Sequence, residues 1–367
     1  MSGWSSSTGR GWSLRGGVAL LVTVAGCAEH APPRIGLVLG SEGVRAAELA
    51  VADLQAAGGP RVELRALSGA YGSSAQIALQ GAESLAVDPG VVAVVGHANS
   101  SASLAASQVY NARRVVQIAP TTTSPLYSQA GPYSYRLVGS DVHQARFLVG
   151  RIARPTAERL AVVYANDDYG RSLRGMVVAE LAARGARPVY QGPYAERETD
   201  GTEVVRALAA AAPTMLLWLG RSAFFSRIAD SLHRALPDLQ VLATDGFGSE
   251  TVGMGKNPRF TGVRYVRLVD DTLPALRALR ARYLALGGVA MTDQAVLTYD
   301  AVMLLGAAIR DVGPDREAIR RWLDQLGRGR APFVGATGAI SFTPEGDRAP
   351  TYVLVTANAG PAPGAGR

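Results

Sequence analysis

Small hydroxyl side chains follow two apolar runs in the first half of the chain. Residues 96–101 read Gly-His-Ala-Asn-Ser-Ser, with Ser100 at the start of an expected helix, and residues 120–125 hold Thr121 and Thr123 between two prolines. A serine hydroxyl beside the free N–H groups of a helix start forms a receptor for a carboxylate. Helix capping by Ser100, or turn formation by the threonines, would explain either segment alone. Because both segments follow adjacent strands, we interpret them together as a binding edge of one sheet.

Three further side chains follow apolar runs in the second half of the chain. Asp245 comes after the run 241–243 and precedes a glycine, where a carboxylate can pair with a ligand ammonium in a partly dry site. An aspartate before glycine is also a common turn. Tyr169 and Arg221 each follow another apolar run, and both are candidate cleft residues. The alternatives are that Tyr169 is a packed tyrosine and that Arg221 is a solvated arginine.

The sequence contains no recognisable catalytic constellation. No Gly-x-Ser-x-Gly elbow occurs, and Lys256 is followed by Asn257 instead of the serine or threonine of a phosphate-binding loop. The four histidines lie without the spacing of metal ligands, at His30, His97, His143 and His233. We therefore predict a binding protein that has no enzymatic activity, cofactor or metal.

Strand-like and helix-like segments alternate from residue 34 onwards. Strands are expected at 35–39, 62–66, 91–95, 115–119, 160–164, near 189, and at 215–219, 241–243, 339–342 and 352–356. Three consecutive helices are expected at 273–286, 292–312 and 315–326. This alternation predicts an α/β protein with parallel sheets.

The pattern runs twice, which predicts two doubly wound parallel-sheet lobes joined by a hinge of several strands. Lobe one would contain 34–139 and 271–330, and lobe two 140–270 and 331–357. Ligands of open α/β sheets bind beyond the carboxyl ends of the strands, so a ligand would lie in the cleft between the lobes. Closure would follow by hinge motion.

Composition excludes several other classes of protein. Of 367 residues, 48% are apolar and 18% charged, which is a globular composition and not that of a disordered chain. The formal net charge is +7, but basic residues occur at most in pairs and lack interleaved aromatics, so we expect no nucleic-acid partner. A single cysteine, Cys27, excludes a disulfide framework.

The N-terminus has the composition of an export signal. Residues 1–26 lack acidic side chains, carry Arg10 and Arg15, and contain an apolar run too short to span a bilayer. Val-Ala-Gly before Cys27 resembles a bacterial lipobox, although a plain signal with an incidental cysteine is the alternative. We expect 1–26 to be a lipoprotein signal peptide, Cys27 to carry the lipid anchor, 27–33 to be a tether and 358–367 a flexible tail.

Several motifs, taken in order, resemble the periplasmic leucine/isoleucine/valine-binding proteins, the type I solute-binding proteins of branched-chain amino acid ABC transporters. The segments that carry the resemblance are 94–101, 118–125, 168–170, 245–246 and 298–301. The resemblance implies the type I periplasmic-binding-protein fold. It also implies that Ser100, Thr121 and Thr123 bind a ligand carboxylate, that Asp245 binds its ammonium, and that Tyr169 covers it.

Three departures from the family pattern concern the ligand side chain. The loop at 40–42 is short and lacks an aromatic residue, Arg221 stands where a tyrosine is frequent, and Gln294 replaces an apolar or aromatic residue. Polar groups left unpaired beside an aliphatic side chain are costly, so these changes favour a polar or acidic side chain.

The sequence therefore predicts an exported, lipid-anchored, monomeric solute-binding protein. It would capture an amino acid or a similar small polar solute and deliver it to an ABC permease, with the membrane contacted through the lipid anchor only. The alternative is a ligand-sensing or regulatory lipoprotein on the same fold that is not coupled to transport.

Overall fold

The first lobe is built on a parallel sheet of five strands. The computed structural model describes residues 1, 31–67, 74–249, 258–287 and 289–357. The strands are β1 (Arg34–Val38), β2 (Glu63–Ala66), β3 (Val91–Gly96), β4 (Val116–Ala119) and β5 (Ser134–Arg136), in the order β2-β1-β3-β4-β5. The helices α1 (Ser41–Ala56), α2 (Ala75–Ala86) and α3 (Ser100–Ala112) connect them, and a 3-10 turn spans Pro125–Gln129.

The second lobe repeats the plan. Its parallel strands are β6 (Leu160–Ala165), β7 (Tyr190–Tyr194), β8 (Met215–Leu219), β9 (Gln240–Ala243) and β10 (Arg264–Arg267). Its helices are α4 (Asp141–Val149), α5 (Asp168–Ala183), α6 (Thr202–Ala211), α7 (Ser222–Ala235) and α8 (Asp245–Ser249), with a 3-10 turn at Pro258–Phe260.

The remaining segments complete both lobes. Helices α9 (Pro274–Gly287), α10 (Asp293–Val312) and α11 (Arg316–Asp324) contribute to the first core, and β11 (Phe333–Gly335) and β12 (Gly338–Ile340) form an antiparallel hairpin. Strand β13 (Val353–Thr356) then pairs antiparallel with β10, giving the order β13-β10-β9-β8-β6-β7.

Each main sheet is covered on both faces, which explains the apolar runs in the sequence. All six residues of β3 are buried. Val92 and Val95 pack into the core shared with α1 and α10, whereas Val91 and Val94 pack into the core shared with α2 and α3. The carboxyl ends of the parallel strands are thereby held at one edge of a rigid sheet.

The described chain passes between the lobes three times: after β5 at 137–140, after β10 at 268–273, and before β13 at 343–352. Tyr352 packs against the cores of both lobes, and its hydroxyl donates to the Ser140 carbonyl at 3.1 Å. These crossings form the hinge.

The predicted two-lobed α/β architecture is confirmed, with differences in detail. Strands β5 and β10 were not predicted, because neither is a run of apolar residues. Ile340 and Phe342, which the sequence analysis assigned to lobe two, fill the core of lobe one. A strand-like pattern does not specify which sheet the strand joins, and here β12 pairs with β11 in a separate two-stranded sheet.

The predicted signal peptide, Cys27 and the tail at 358–367 lie outside the described residues. Within the described part, no helix combines the length and apolar character needed to cross a membrane.

Candidate ligand-binding site

A cavity of about 200 Å³ lies where the carboxyl ends of strands from both lobes face each other. All six predicted ligand-contacting residues line it: Ser100, Thr121, Thr123, Tyr169, Arg221 and Asp245. The start of α10 also contributes, through Asp293 and Gln294. The structure therefore brings together residues that are far apart in the sequence, such as Ser100 and Gln294, which are 194 positions apart.

The first-lobe wall is formed by the start of α3 and by the threonine loop. Asn99 caps α3, since its side chain accepts from the Ala102 N–H at 2.9 Å. Capping by Ser100 is therefore not needed, and the Ser100 hydroxyl instead accepts from the Ser124 N–H at 3.3 Å. No acceptor for the Ser100 hydroxyl proton is present among the described residues, so it is free to donate to a ligand. Thr123, 1% exposed, lies beside it on the same wall.

The Thr121 hydroxyl is already engaged within the protein. It donates to the Ala98 carbonyl at 3.2 Å and accepts from Gln294 Nε2 at 3.3 Å. A hydroxyl has one proton, so in this arrangement Thr121 has none left for a ligand carboxylate. Thr121 instead connects the first-lobe loop to α10.

The second-lobe wall centres on the buried carboxylate of Asp245. Tyr169 donates its hydroxyl to Asp245 Oδ1 at 2.6 Å, and Gln144 donates from Nε2 to the same oxygen at 2.7 Å. Gln144 also accepts from the Asp245 N–H at 3.0 Å. The Gly246 backbone N–H also bonds to the Asp245 carboxyl, and no described side chain donates to Oδ2.

Sequence reasoning did not single out Gln144. It is fully buried in α4, and a lone polar residue inside a helical pattern carries no signal of its partner 101 positions away. Gln144 fixes both the backbone and the side chain of Asp245, which makes it a positioning residue for the site.

The second-lobe wall holds two buried carboxyl groups, Asp245 and Asp141. Burial raises the pKa of Asp245, opposed by the hydrogen bonds from Tyr169 and Gln144. Behind it, burial and repulsion from Asp245 raise the pKa of Asp141 to about 8. A side-chain hydrogen bond with Thr123 and the charge of Arg136 oppose this rise but do not outweigh it. A ligand cation at Asp245 would favour the charged form of that carboxyl and offset its desolvation.

Arg221 adds less positive charge than the sequence suggested. Its Nη1 bonds to Asp167 at 2.8 Å and lies 3.4 Å from Glu196, and its guanidinium lies 5.7 Å from the centre of the Tyr169 ring. Burial alone would lower the pKa of Arg221, but the bond and charge of Asp167 outweigh it and raise the pKa. The two carboxylates balance its charge.

A hydrogen bond between Ser101 and Asp168 crosses the cleft beside the cavity. Ser101 at the start of α3 donates to Asp168 Oδ2 at the start of α5, at 2.6 Å. The bond from Ser101 and the neighbouring Arg171 together lower the pKa of Asp168, despite its partial desolvation. Ser101 directly follows the cavity residue Ser100, and Asp168 directly precedes the cavity residue Tyr169. The two lobes are therefore in contact at the rim of the site.

Comparison with known proteins agrees with this two-lobed arrangement around a cleft. The family model described as periplasmic binding protein matches residues 36–360. The chain belongs to the periplasmic binding protein family. Family membership confirms the resemblance identified from the motifs.

Curated relatives in the family are named as amino acid binding proteins. The Leu/Ile/Val-binding protein homolog 1 of Brucella melitensis is 25% identical over 361 residues, covering 93% of this chain and 95% of that protein. An amino acid binding protein of Pseudomonas aeruginosa is 24% identical over 290 residues, covering 76% of each chain.

Solved structures of the family share the fold. The branched-chain amino acid transporter substrate binding protein LivJ of Streptococcus pneumoniae, solved with isoleucine, superposes with a TM-score of 0.78 at 21% identity, covering 89% of this chain and 97% of that one. A solute binding protein of an ABC transporter from Rhodopseudomonas palustris, solved with benzoate, gives 0.77 at 15% identity, with coverage of 89% and 93%. The predicted type I periplasmic-binding-protein fold is thereby confirmed.

Proposed function

We propose that this protein is an exported solute-binding protein that captures an amino acid, or a similar small solute with an ammonium and a carboxylate, and delivers it to an ABC permease. The observation that carries the proposal is that an acidic wall of the second lobe faces a hydrogen-bond-donating wall of the first lobe. A buried Asp245 carboxylate, whose Oδ2 takes no bond from a described side chain, faces the Ser100 hydroxyl at a helix start across a cavity of about 200 Å³.

The chemistry of the two walls fits the two charged ends of an amino acid. The ammonium would bond to Asp245 Oδ2, where a charge-assisted bond in a partly dry site is strong. The carboxylate would lie against Ser100, Thr123 and the first N–H groups of α3, which lack intrahelical acceptors. A ligand that touches both lobes favours the closed state, because it binds that state better than the open one.

The names of the relatives support an amino acid as the ligand class, and the family supports an exported location. Transfer to a permease, attachment through Cys27 and a monomeric state are part of the proposal. The protein would act without chemistry on its ligand, and hinge closure would be the functional step.

A thermal-shift screen of the purified protein against the twenty amino acids, dicarboxylates and amides tests the proposal. A ligand at about 100 times its Kd should stabilise the fold by about 2.7 kcal/mol. We expect Asp245→Asn to weaken binding by about 30-fold or more, since truncating one partner of a buried charge pair costs about 2 kcal/mol or more. Asp238→Asn, at an exposed aspartate, is the matched control and should bind normally.

Two results would contradict the proposal. Stabilisation only by ligands that lack an amine would remove the role of Asp245. The absence of any stabilising amino acid would remove amino acid capture altogether.

A further inference from the structure

The ammonium and carboxylate of an amino acid leave two polar side chains of the cavity without an assigned partner in the ligand, Arg221 and Gln294. Asp293, which also lines the cavity, is already bonded to Arg280 at 2.7 Å and to the Leu268 N–H at 3.2 Å. Arg221 and Gln294 therefore present polar groups that remain for the side chain of the ligand.

The hydrogen-bond network fixes which end of the Gln294 amide is available. Thr121 donates its only proton to the Ala98 carbonyl, so it can only accept from Gln294. The amide nitrogen of Gln294 must then point to Thr121. Its Oε1 has no hydrogen-bond donor among the described residues and is left as an acceptor at the cavity.

Arg221 supplies the complementary donor. Within the part of the chain that the structure describes, its side-chain bonds leave from Nη1, toward Asp167 and Glu196. Within the described residues, its Nε and Nη2 groups bond to no acceptor, so N–H donors remain for a ligand. Because Asp167 and Glu196 already balance the charge, the guanidinium offers hydrogen bonds more than it offers net attraction for an anion.

We propose that the ligand side chain both donates and accepts hydrogen bonds without carrying charge, as a carboxamide does, and that Gln294 determines this specificity. The inference rests on the proposed function and narrows its substrate class. An aliphatic side chain would leave the Gln294 oxygen and the Arg221 donors unpaired on closure, which is costly. A carboxylate side chain would face the Gln294 oxygen and add negative charge near Asp245 and Asp293.

Calorimetric titration of the protein with L-glutamine, L-asparagine, L-glutamate and L-leucine tests the inference. We expect a carboxamide amino acid to bind at least about tenfold more tightly than leucine and glutamate. Gln294→Met keeps the side-chain length and removes the acceptor, and should reduce the carboxamide-to-leucine ratio about tenfold. Gln55→Met, at an exposed glutamine of α1, is the matched control and should leave the ratio unchanged.

Each contrary result has a distinct meaning. Leucine or glutamate binding more tightly than both carboxamides to the unmodified protein overturns the inference while amino acid capture stands, and this comparison needs no variant to fold. An unchanged ratio in a folded Gln294→Met also overturns it. If none of the twenty amino acids binds, both the proposed function and this inference are contradicted.

Discussion

The buried Arg136 supports the first-lobe wall of the cavity, and replacing it offers a measurable test of that support. Arg136 lies in β5 with no exposed surface. Its Nη1 donates to the Ser124 carbonyl at 2.8 Å, and its Nη2 to Ser128 Oγ at 2.6 Å and to Asp347 Oδ2 at 2.7 Å. Ser124 in turn donates its N–H to Ser100. The guanidinium therefore ties the threonine loop to the segment that leads back toward the second lobe.

The structure sets the size of the expected effect. Arg136→Met keeps the apolar stem and removes the charge, which leaves the Ser124 carbonyl without this donor and the Asp347 carboxylate with the Ser128 hydroxyl but no paired charge. Removing one partner of a buried ion pair costs about 3–5 kcal/mol. Because the Asp347 side chain is 15% exposed and can recover some hydration, we expect the lower end, about 3 kcal/mol.

Urea unfolding at pH 7, followed by circular dichroism, measures the free energy of unfolding. The control is Arg206→Met, which breaks an ion pair with Glu203 whose side chains are 68% and 77% exposed and should cost about 0.5 kcal/mol or less. Arg136→Met with Asp347→Leu should recover part of the loss, because no unpaired charge remains buried. A loss below about 1 kcal/mol for Arg136→Met would refute the reasoning.

Two further predictions concern the acidic wall and the contact across the cleft. The pKa of Asp141 is raised from an ordinary 3.8 to about 8, so between these values the folded state holds a proton that the unfolded state has lost, and the free energy of unfolding falls as pH rises. Asp141→Asn should remove this fall. In urea unfolding, the free energy of unfolding of the variant should therefore exceed that of the unmodified protein by an amount that grows from pH 4 to pH 8. Parallel pH profiles of the two proteins would contradict the raised pKa of Asp141. Ser101→Ala removes the bond to Asp168, which should destabilise the closed state by about 1 kcal/mol. Ligand dissociation, measured by stopped-flow, should therefore be about fivefold faster. Arg171→Ala removes only the neighbour of Asp168 within α5 and is the control; equal rates in both variants would argue against the contact between lobes.

The sequence predicts well those helices and strands whose pattern of apolar residues follows directly from which of their faces are buried. The run at 91–95 became β3 because both faces of the sheet are covered, and Ser74, Thr292 and Asp315 cap α2, α10 and α11 with their side chains. The short strand β5 reads Ser-Tyr-Arg, and its buried arginine is paired with Asp347, 211 positions along the chain. Such a strand has no local signature.

The six cavity residues could be predicted because parallel strands place their carboxyl ends at one edge. Their hydrogen-bond states could not. The use of the Thr121 proton by Ala98, and the neutralisation of Arg221 by Asp167 and Glu196, depend on contacts between distant segments. These contacts changed the expected ligand side chain from polar or acidic to polar and uncharged.

The central claim is that Asp245 binds the ammonium of an amino acid, and a titration cycle tests it most directly. The tightest-binding amino acid of the screen and its analogue without the amine are each titrated into the unmodified protein and Asp245→Asn. The account predicts that the amine improves binding at least about tenfold more in the unmodified protein than in the variant, because the interaction needs both partners. An equal contribution of the amine in both proteins would contradict the claim.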